Sequence, residues 1–447
     1  MSSDQRREGS LEAPTRHPLD WQSDKFYDAA ALEAELERVF DVCHGCRRCF
    51  NLCNAFPTLF DAVDESDTGE LDSVPKEVFR DVTDECYLCD MCFMSKCPYV
   101  PPHEWNIDFP HLMLRAKAAR FKKEGAPLRD RILAATDTVG NIAGIPVVAG
   151  VVNSVNRSAA GRKLLEQTLG VDTSAPVPEY HRNTGRKRVG TDPDARARGG
   201  TEVNGTSGRV VLFATCYGDR NSPQIVEDLV RVFEHNGIPV ALVEAEQCCG
   251  MPKLELGDLA GVVKLRSANI GQLLPWAQDG WDLVAPVPSC VLMFRQELPL
   301  MFPDDADVQA VGDAFYDPFE YLHLRHRGEQ LNVDFKNPLG KVSYQVPCHL
   351  RVQNIGLKTR DVLQLIPDTT VDVIERCSGH DGTYGVKKRF RQAAVKIARP
   401  VVRQVGEAGA DHFTSDCPMA GAQIDQLLPE PGAYLHPLSL LRKAYGI

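Results

Sequence analysis

Eight cysteines stand in two short runs near the N-terminus: Cys43, Cys46, Cys49 and Cys53, then Cys86, Cys89, Cys92 and Cys97, the last followed by Pro98. Three thiols at C-x2-C-x2-C spacing let one loop point all three at one metal cluster, and the fourth cysteine of each run ordinarily ligates the other cluster. On that rule Cys43, Cys46, Cys49 and Cys97 hold one 4Fe-4S cluster, and Cys86, Cys89, Cys92 and Cys53 hold the second. Clusters shared in this way sit close together, so the segment reads as an electron conduit. Zinc competes, because four-cysteine zinc sites also use C-x2-C pairs. A tetrahedral ion, however, has no use for a third cysteine at the same spacing in both runs. Disulfides fit less well: the total of 15 cysteines is odd, and the first twenty residues are polar and charged, which points to a reduced, cytosolic setting.

Two details depart from the bacterial ferredoxin run. Four residues, Phe93 to Lys96, separate Cys92 from Cys97 where that run has three. The extra residue falls between ligands of different clusters and leaves each three-cysteine loop intact. Asn54 stands where the first run would have its proline. Between Cys53 and Cys86 lie 32 residues, including the amphipathic stretch Pro75 to Val82, which predicts a helical ferredoxin module in place of the compact βαβ kind. Local charge differs as well. Arg47 and Arg48 lie in one loop while Glu85 and Asp90 flank the other, so the first cluster is expected at the higher potential.

The remaining seven cysteines need different elements to position them. Arg209 to Ala214 is a strand pattern leading to Cys216; a helix pattern from Gln224 to His235 and a strand from Pro239 to Val243 lead to Cys248-Cys249-Gly250; the apolar run Leu283 to Val287 leads to Cys290. The pattern then repeats. Val342 to Val346 leads to Cys348, a helix near Thr359 to Leu365 and a strand Val371 to Ile374 lead to Cys377-Ser378-Gly379, and His412 to Thr414 leads to Cys417. In open α/β sheets ligands bind beyond the carboxyl ends of the strands, where helix N-termini present unpaired N–H groups. Thiols gathered there should be lowered in pKa and drawn into metal ligation. One cysteine at a strand end is ordinary packing; several at successive strand ends of one sheet are not.

At 447 residues the chain has room for about three domains of ordinary size. A formal charge of −11 argues against nucleic acid as a partner. No stretch reaches the roughly 20 apolar residues of a spanning helix. The nearest, Val139 to Val152, is broken by glycines and a proline and reads as a buried core helix or turn, with a membrane-surface element as the alternative. Ile132 to Leu169 reads as largely helical, ending at Gly170. From His181 to Gly208 there are six Lys or Arg, six Gly and no large apolar residue beyond Val189 and Val203, the composition of a flexible, positively charged tether. No G-x-G-x-x-G follows a strand pattern, so a flavin or nicotinamide would have to come from another chain.

Paired ferredoxin runs followed by two cysteine-cysteine-glycine modules resemble the heterodisulfide reductase-related iron-sulfur proteins, which include the D subunit of that reductase, the iron-sulfur protein of glycolate oxidase and the C subunit of the anaerobic glycerol-3-phosphate dehydrogenase. The resemblance covers nearly the whole chain. It implies an α+α/β fold: a helical two-cluster ferredoxin domain (1–120), a helical connector (121–180), the linker (181–208), a first module (209–330) and a second, partly degenerate one (331–447). It also implies a further iron-sulfur cluster on Cys216, Cys248, Cys249 and Cys290, with Met293 in place of the pattern's fifth cysteine. The second module keeps Cys348, Cys377 and Cys417 but has Ser378 and Ala420 at the other two positions, leaving His349, His380 and Ser378 as nearby candidates for an additional ligand. The implied role is an electron-transfer subunit, cytoplasmic or peripheral to the inner face of the membrane, serving a flavoprotein or a rubrerythrin-like peroxide reductase. The competing role is a reductase that acts on a disulfide or other small substrate at the second module.

Overall fold

The structure, a computed structural model, describes residues 14–190 and 194–447; the polar extreme N-terminus and three positions of the expected tether lie outside the described residues. The chain divides into two compact units, Met1–Pro127 with Lys253–Leu259 and Leu300–Phe302, and the remainder.

The described elements of the first unit are helical, as the cysteine spacing predicts. They include α1 (Ala29–Cys46), α2 (Ala55–Asp64), α3 (Lys76–Glu85), α4 (Met91–Ser95) and α5 (Phe109–Glu124). Asp28 caps α1 by accepting the Ala31 N–H at 2.7 Å, and the helix stops where Arg47 turns left-handed at φ 53°. Helix α2 buries Ala55, Phe56, Leu59, Phe60 and Val63, one face of a 3.6-residue period. The aromatic rings are the packing: Phe40 meets Phe79 edge-on at 5.0 Å and Phe56 meets Phe109 at 4.7 Å, so the helices carrying the cysteine runs share one core.

The second unit begins with four short helices, α6 (Leu128–Leu133), α7 (Thr136–Ala143), α8 (Pro146–Arg157) and α9 (Ala159–Leu169), the last ended by Gly170 at φ 67°. Here one expectation is overturned. The stretch Val139 to Val152 is not a buried helix: α7 and α8 bend by 107° at their junction, and Ile142, Ile145, Val147 and Val151 are all exposed, Val147 at 76%. Gly144 closes α7, and neither piece is then long enough to enclose its apolar side. Among the described residues no single helix is long and apolar enough to cross a membrane.

Where composition predicts a flexible tether, the described residues are packed. Helix α10 (Gly185–Val189) lies against the next helices. Gly185 faces Val226 closely enough that a Cβ would collide, the Arg186 N–H donates to Asp219 at 2.9 Å, and the Arg186 guanidinium donates to the Glu244 carbonyl at 3.0 Å. Further on, the Ser207 N–H donates to Asp282 at 2.7 Å. Polar hydrogen bonds between side chains and backbone hold this segment, and such contacts leave no hydrophobic period to read.

Each module is a four-stranded parallel sheet. The first comprises β1 (Val210–Leu212), β2 (Val240–Leu242), β3 (Asp282–Val284) and β4 (Phe315–Tyr316) in the order β2-β1-β3-β4; the second comprises β5 (Gly340–Gln345), β6 (Thr369–Ile374), β7 (His412–Ser415) and β8 (Tyr434–Leu435) in the order β6-β5-β7-β8. All three β1 residues are fully buried, as expected of a strand covered on both faces. Between β1 and β2 come α11 (Cys216–Arg220) and α12 (Pro223–His235). The modules are joined side by side: Arg442, on the last helix (Pro437–Tyr445), donates to Asp228 at 2.8 Å and Glu227 at 3.1 Å on α12. In both sheets the strand order reverses at the central pair, β1/β3 and β5/β7. This is the topological switch point at which loops part and leave a crevice.

Candidate metal centres

In the first unit Cys43, Cys46, Cys49 and Cys97 line one pocket with Arg48, Phe56, Phe60 and Tyr99. Burial pushes the Cys43 thiol well up, helped by Cys49, Cys97 and Cys46. Cys49 is pushed up to about 12 by burial, then by Cys97 and Cys46, with Lys96 and Arg48 pulling the other way. Cys92 is raised by burial and then by Cys49, Cys86 and Cys53. Cys97 therefore lies among the first three cysteines of the first run, and Cys53 lies near Cys92. Packed thiols whose charges oppose one another in a dry site are a donor set suited to a cationic group, which relieves both effects at once.

The loops are bent to achieve this. Ten described non-glycine residues have positive φ, and Arg47, Leu88, Asp90 and Thr215 each adjoin a cysteine. Arg47 gains a helix-ending hydrogen bond to the Cys43 carbonyl at 2.9 Å and Thr215 Oγ1 accepts the Gly218 N–H at 2.9 Å, local bonds that offset the strain of these conformations. For Asp90 the imposing group is visible: Arg16 forms an ion pair with it at 2.6 Å and with Asp108 at 3.0 Å. Buried Lys117 donates to the Cys86 carbonyl. These partners change the charge reading. Arg47 is paired with Asp64 at 2.5 Å and Asp90 with Arg16, so of the residues expected to set the two potentials apart, Arg48 is the one facing the first cavity.

In the second unit, Cys216 opens α11 directly after Thr215, whose φ of 67° and ψ of 151° lie in territory usual only for glycine. Cys248 and Cys249 follow β2, and Cys290 sits on the short helix Pro288–Leu292 after β3. Cys216 and Cys290 thus leave the two strands that flank the switch point. The four thiols are neighbours. Cys248 is held low by hydrogen bonds from Cys216 and Cys249, with burial opposing and Thr136 and the Gly250 N–H assisting, while Cys249 is raised by Cys248 and Cys290. Gly250 turns the loop at φ 104°. Asn269, nearly fully buried, accepts the Gln247 N–H at 2.9 Å and donates to the Cys248 carbonyl at 3.0 Å. Connector helix α7 also reaches this site, where Asp137 accepts the Cys248 N–H at 2.6 Å and the Thr136 hydroxyl, turned toward Cys216 and Cys248, meets no oxygen or nitrogen partner among the described residues.

The second module repeats the frame around a cleft lined by Cys348, Cys377, Cys417, Ser378, His349, His380, Asp381 and Ala420. Cys417 caps the helix Pro418–Leu427. A lowered thiol is expected at such a position, yet Cys417 is pushed up to about 12: burial outweighs the Ala420 and Met419 N–H groups. His349 Nδ1 is 2.8 Å from the Ser289 hydroxyl. His380 is buried with neither ring nitrogen hydrogen-bonded, and burial lowers its pKa to about 4. Among the described residues no three His, Cys, Asp or Glu side chains converge on one point as a single ion requires; a multi-iron cluster instead holds its ligands apart around its own volume.

Sequence reasoning missed Arg16, Thr136, Asp137 and Asn269. None belongs to a spaced motif, and each is recognisable only after folding brings it to a cysteine loop.

Comparison with known proteins places these sites in context. Residues 210–295 and 342–425 each match the family described as CCG, a cysteine-rich domain. The chain is 27% identical over 341 residues, 76% of its length and 82% of the relative's, to the C subunit of the anaerobic glycerol-3-phosphate dehydrogenase of Escherichia coli K12. It is 22% identical to the B subunit of the fumarate reductase (CoM/CoB) of Methanothermobacter marburgensis, over 90% of this chain and 72% of that one. Lactate utilization protein A of Bacillus cytotoxicus is 26% identical over 47% of this chain and 87% of its own length.

Proposed function

We propose, from the match of residues 210–295 and 342–425 to the CCG cysteine-rich domain, that this chain is an iron-sulfur electron-transfer subunit of an oxidoreductase complex. The observation that carries this reading is the interleaving of the two N-terminal runs, in which Cys97 lies among Cys43, Cys46 and Cys49 while Cys53 and Cys86 lie near Cys92. A zinc knuckle has no need of that exchange; two 4Fe-4S clusters do. Such clusters supply one-electron transfer when bound. The third set, Cys216, Cys248, Cys249 and Cys290, fits a further cluster by the same criterion of packed, mutually opposing thiols.

The chain's own residues have definite tasks in this scheme. Arg48 places positive charge beside the first set and favours a reduced centre. Asp137 and Asn269 fix the backbone on either side of Cys248, so its thiolate need not reorganise when the local charge changes. The Thr136 hydroxyl is positioned to donate to that sulfur. Because relatives bear the names of components of dehydrogenase and reductase complexes, and no nucleotide fingerprint follows any strand, substrate chemistry is assigned to a partner, with a flavoprotein the best match.

A second reading takes the cleft lined by Cys348, Cys377 and Cys417, with His349, His380 and Ser378 beside them, as the place of chemistry. In it the chain itself reduces a disulfide or similar compound there. Anaerobic purification of the full chain from its source, with co-eluting proteins identified, separates the two. A stoichiometric flavoprotein and no turnover by the isolated chain support the relay; turnover without a partner supports the second reading. Roughly eight irons and eight sulfides are expected from the N-terminal sets alone. Stoichiometric zinc without visible charge-transfer absorption would sink both.

A further inference from the structure

The second module presents three thiols at the strand ends where the first presents four, and the gap in its ligand pattern lies beside an imidazole with nothing to do. We propose that His380 supplies the non-thiolate ligand that completes the set Cys348, Cys377 and Cys417. The inference rests on the reading that the second module binds a metal cluster, and it specifies how.

The argument is one of elimination among the polar groups that line the cleft. Ser378 occupies the position of the second vicinal cysteine, but its hydroxyl accepts the His380 N–H at 3.4 Å and its carbonyl accepts from Gln423 at 3.3 Å. His349 is held from one side, Nδ1 lying 2.8 Å from the Ser289 hydroxyl; its Nε2 makes no hydrogen bond and faces the Asp381 carboxylate at 3.7 Å. His380 has no such partner among the described residues. It is 6% exposed, lines the same cleft as the three cysteines, and leaves both Nδ1 and Nε2 buried without a hydrogen bond. A buried imidazole with two idle nitrogens carries a desolvation penalty that a structural role would have removed with a hydrogen bond. Bonding to a metal removes it in another way. The loop is built to deliver the ring there, because Gly379, at φ 67°, lies against the Ala394 carbonyl with no room for a Cβ, which fixes the step from Cys377 to His380.

Replacing a thiolate by a neutral imidazole removes one negative charge from the ligand set and raises the potential of a cluster, as it does when histidines replace cysteines at a Rieske centre. The second module then becomes the more oxidising end of the chain, the place where electrons collect.

The test is pulsed EPR of the reconstituted full chain, grown with natural and with 15N-labelled histidine. The signal to follow is the one abolished by Cys377→Ser while the ferredoxin signals survive. In the parent protein that signal should show a hyperfine coupling that changes with the histidine isotope. The coupling should vanish in His380→Gln, persist in His349→Gln, and vanish in His380→Cys with the signal retained and its midpoint moved to a more negative potential. A coupling that survives His380→Gln, one that disappears with His349→Gln, or a second-module signal with no histidine coupling overturns the assignment while leaving the cluster reading intact. If Cys377→Ser abolishes no signal, the cluster reading fails and the assignment falls with it.

Discussion

Replacing Arg16 by methionine should loosen the second cysteine loop without touching a cysteine. Arg16 donates to Asp90 at 2.6 and 2.9 Å and to Asp108 at 3.0 and 3.2 Å. The three side chains are 11%, 5% and 19% exposed. Removing one partner of a buried pair costs about 3–5 kcal/mol, because the other charge is left uncompensated. Asp108 retains the His111 N–H at 3.1 Å and some solvent, so the lower figure applies. At 1.4 kcal/mol per tenfold, about 3 kcal/mol corresponds to local opening some 150-fold more frequent. Hydrogen exchange followed by mass spectrometry reads this directly as faster exchange in peptides covering residues 86–97. A second substitution, Asp90→Asn, should restore part of the protection, because it removes the stranded charge and asparagine tolerates the φ of 59° found there. The pH dependence has a definite sign. Burial would raise the Asp108 carboxyl, but His111 and Arg16 hold it below its ordinary range. Its contribution is complete above about pH 3.9 and is lost as pH falls through the lowered value; in Arg16→Met the carboxyl is no longer held as low, so that acid-dependent loss shrinks. Parental exchange rates in Arg16→Met, or no relief from Asp90→Asn, would refute the reasoning.

Three further outcomes are expected. Arg48→Ala should lower the potential of the first N-terminal centre by up to about 40 mV, the one-electron equivalent of about 1 kcal/mol for a surface charge, whereas removing Arg47 together with Asp64 should leave it unchanged in an EPR-monitored titration. Thr136→Val, nearly isosteric, should lower the potential of the centre on the first module by up to about 60 mV if the hydroxyl donates to sulfur, a hydrogen bond to a charged acceptor being worth about 1.5 kcal/mol; an unmoved midpoint at full iron content counts against it. His436 is buried and lowered to about 4 by that burial, against about 6.5 when free. The unfolded chain therefore takes up a proton first, and stability should fall by up to about 3 kcal/mol as pH drops from about 6.5 to about 4. His436→Asn, which keeps an acceptor at the helix cap, should flatten that part of a pH series of denaturant melts.

What the sequence reveals and what it hides follow from the kind of interaction involved. The strands ending near Cys216, Cys248, Cys290, Cys348, Cys377 and Cys417 are legible because parallel strands covered on both faces are short apolar runs. The fourth strands, Phe315–Tyr316 and Tyr434–Leu435, have two residues each, too few for any period to register. The segment 181–208 reads as a tether because arginine bonded to backbone carbonyls resembles arginine in solvent. The opposite error occurs at Val147 and Val151, where apolar composition suggests burial and the bend between α7 and α8 leaves the side chains outside. Cysteine spacing suggests the ligand sets, but Arg16, Thr136 and Asp137 come from elements remote in sequence, and nothing local marks them.

The matching strand orders of the two sheets have a consequence for how this chain can change. In each module the backbone ladder and the apolar side chains that close the core lie within the strands and the covering helices, whereas the thiols stand on the loops beyond the strand ends. Stability and metal affinity therefore reside in separate residues. Serine stands at 378 and alanine at 420 with the scaffold beneath them intact; Ala420 itself is packed in the interior at 4% exposure. A duplicated frame of this kind lets one copy carry a different set of donor atoms from the other, and a new reactivity can be sampled at little risk to the fold.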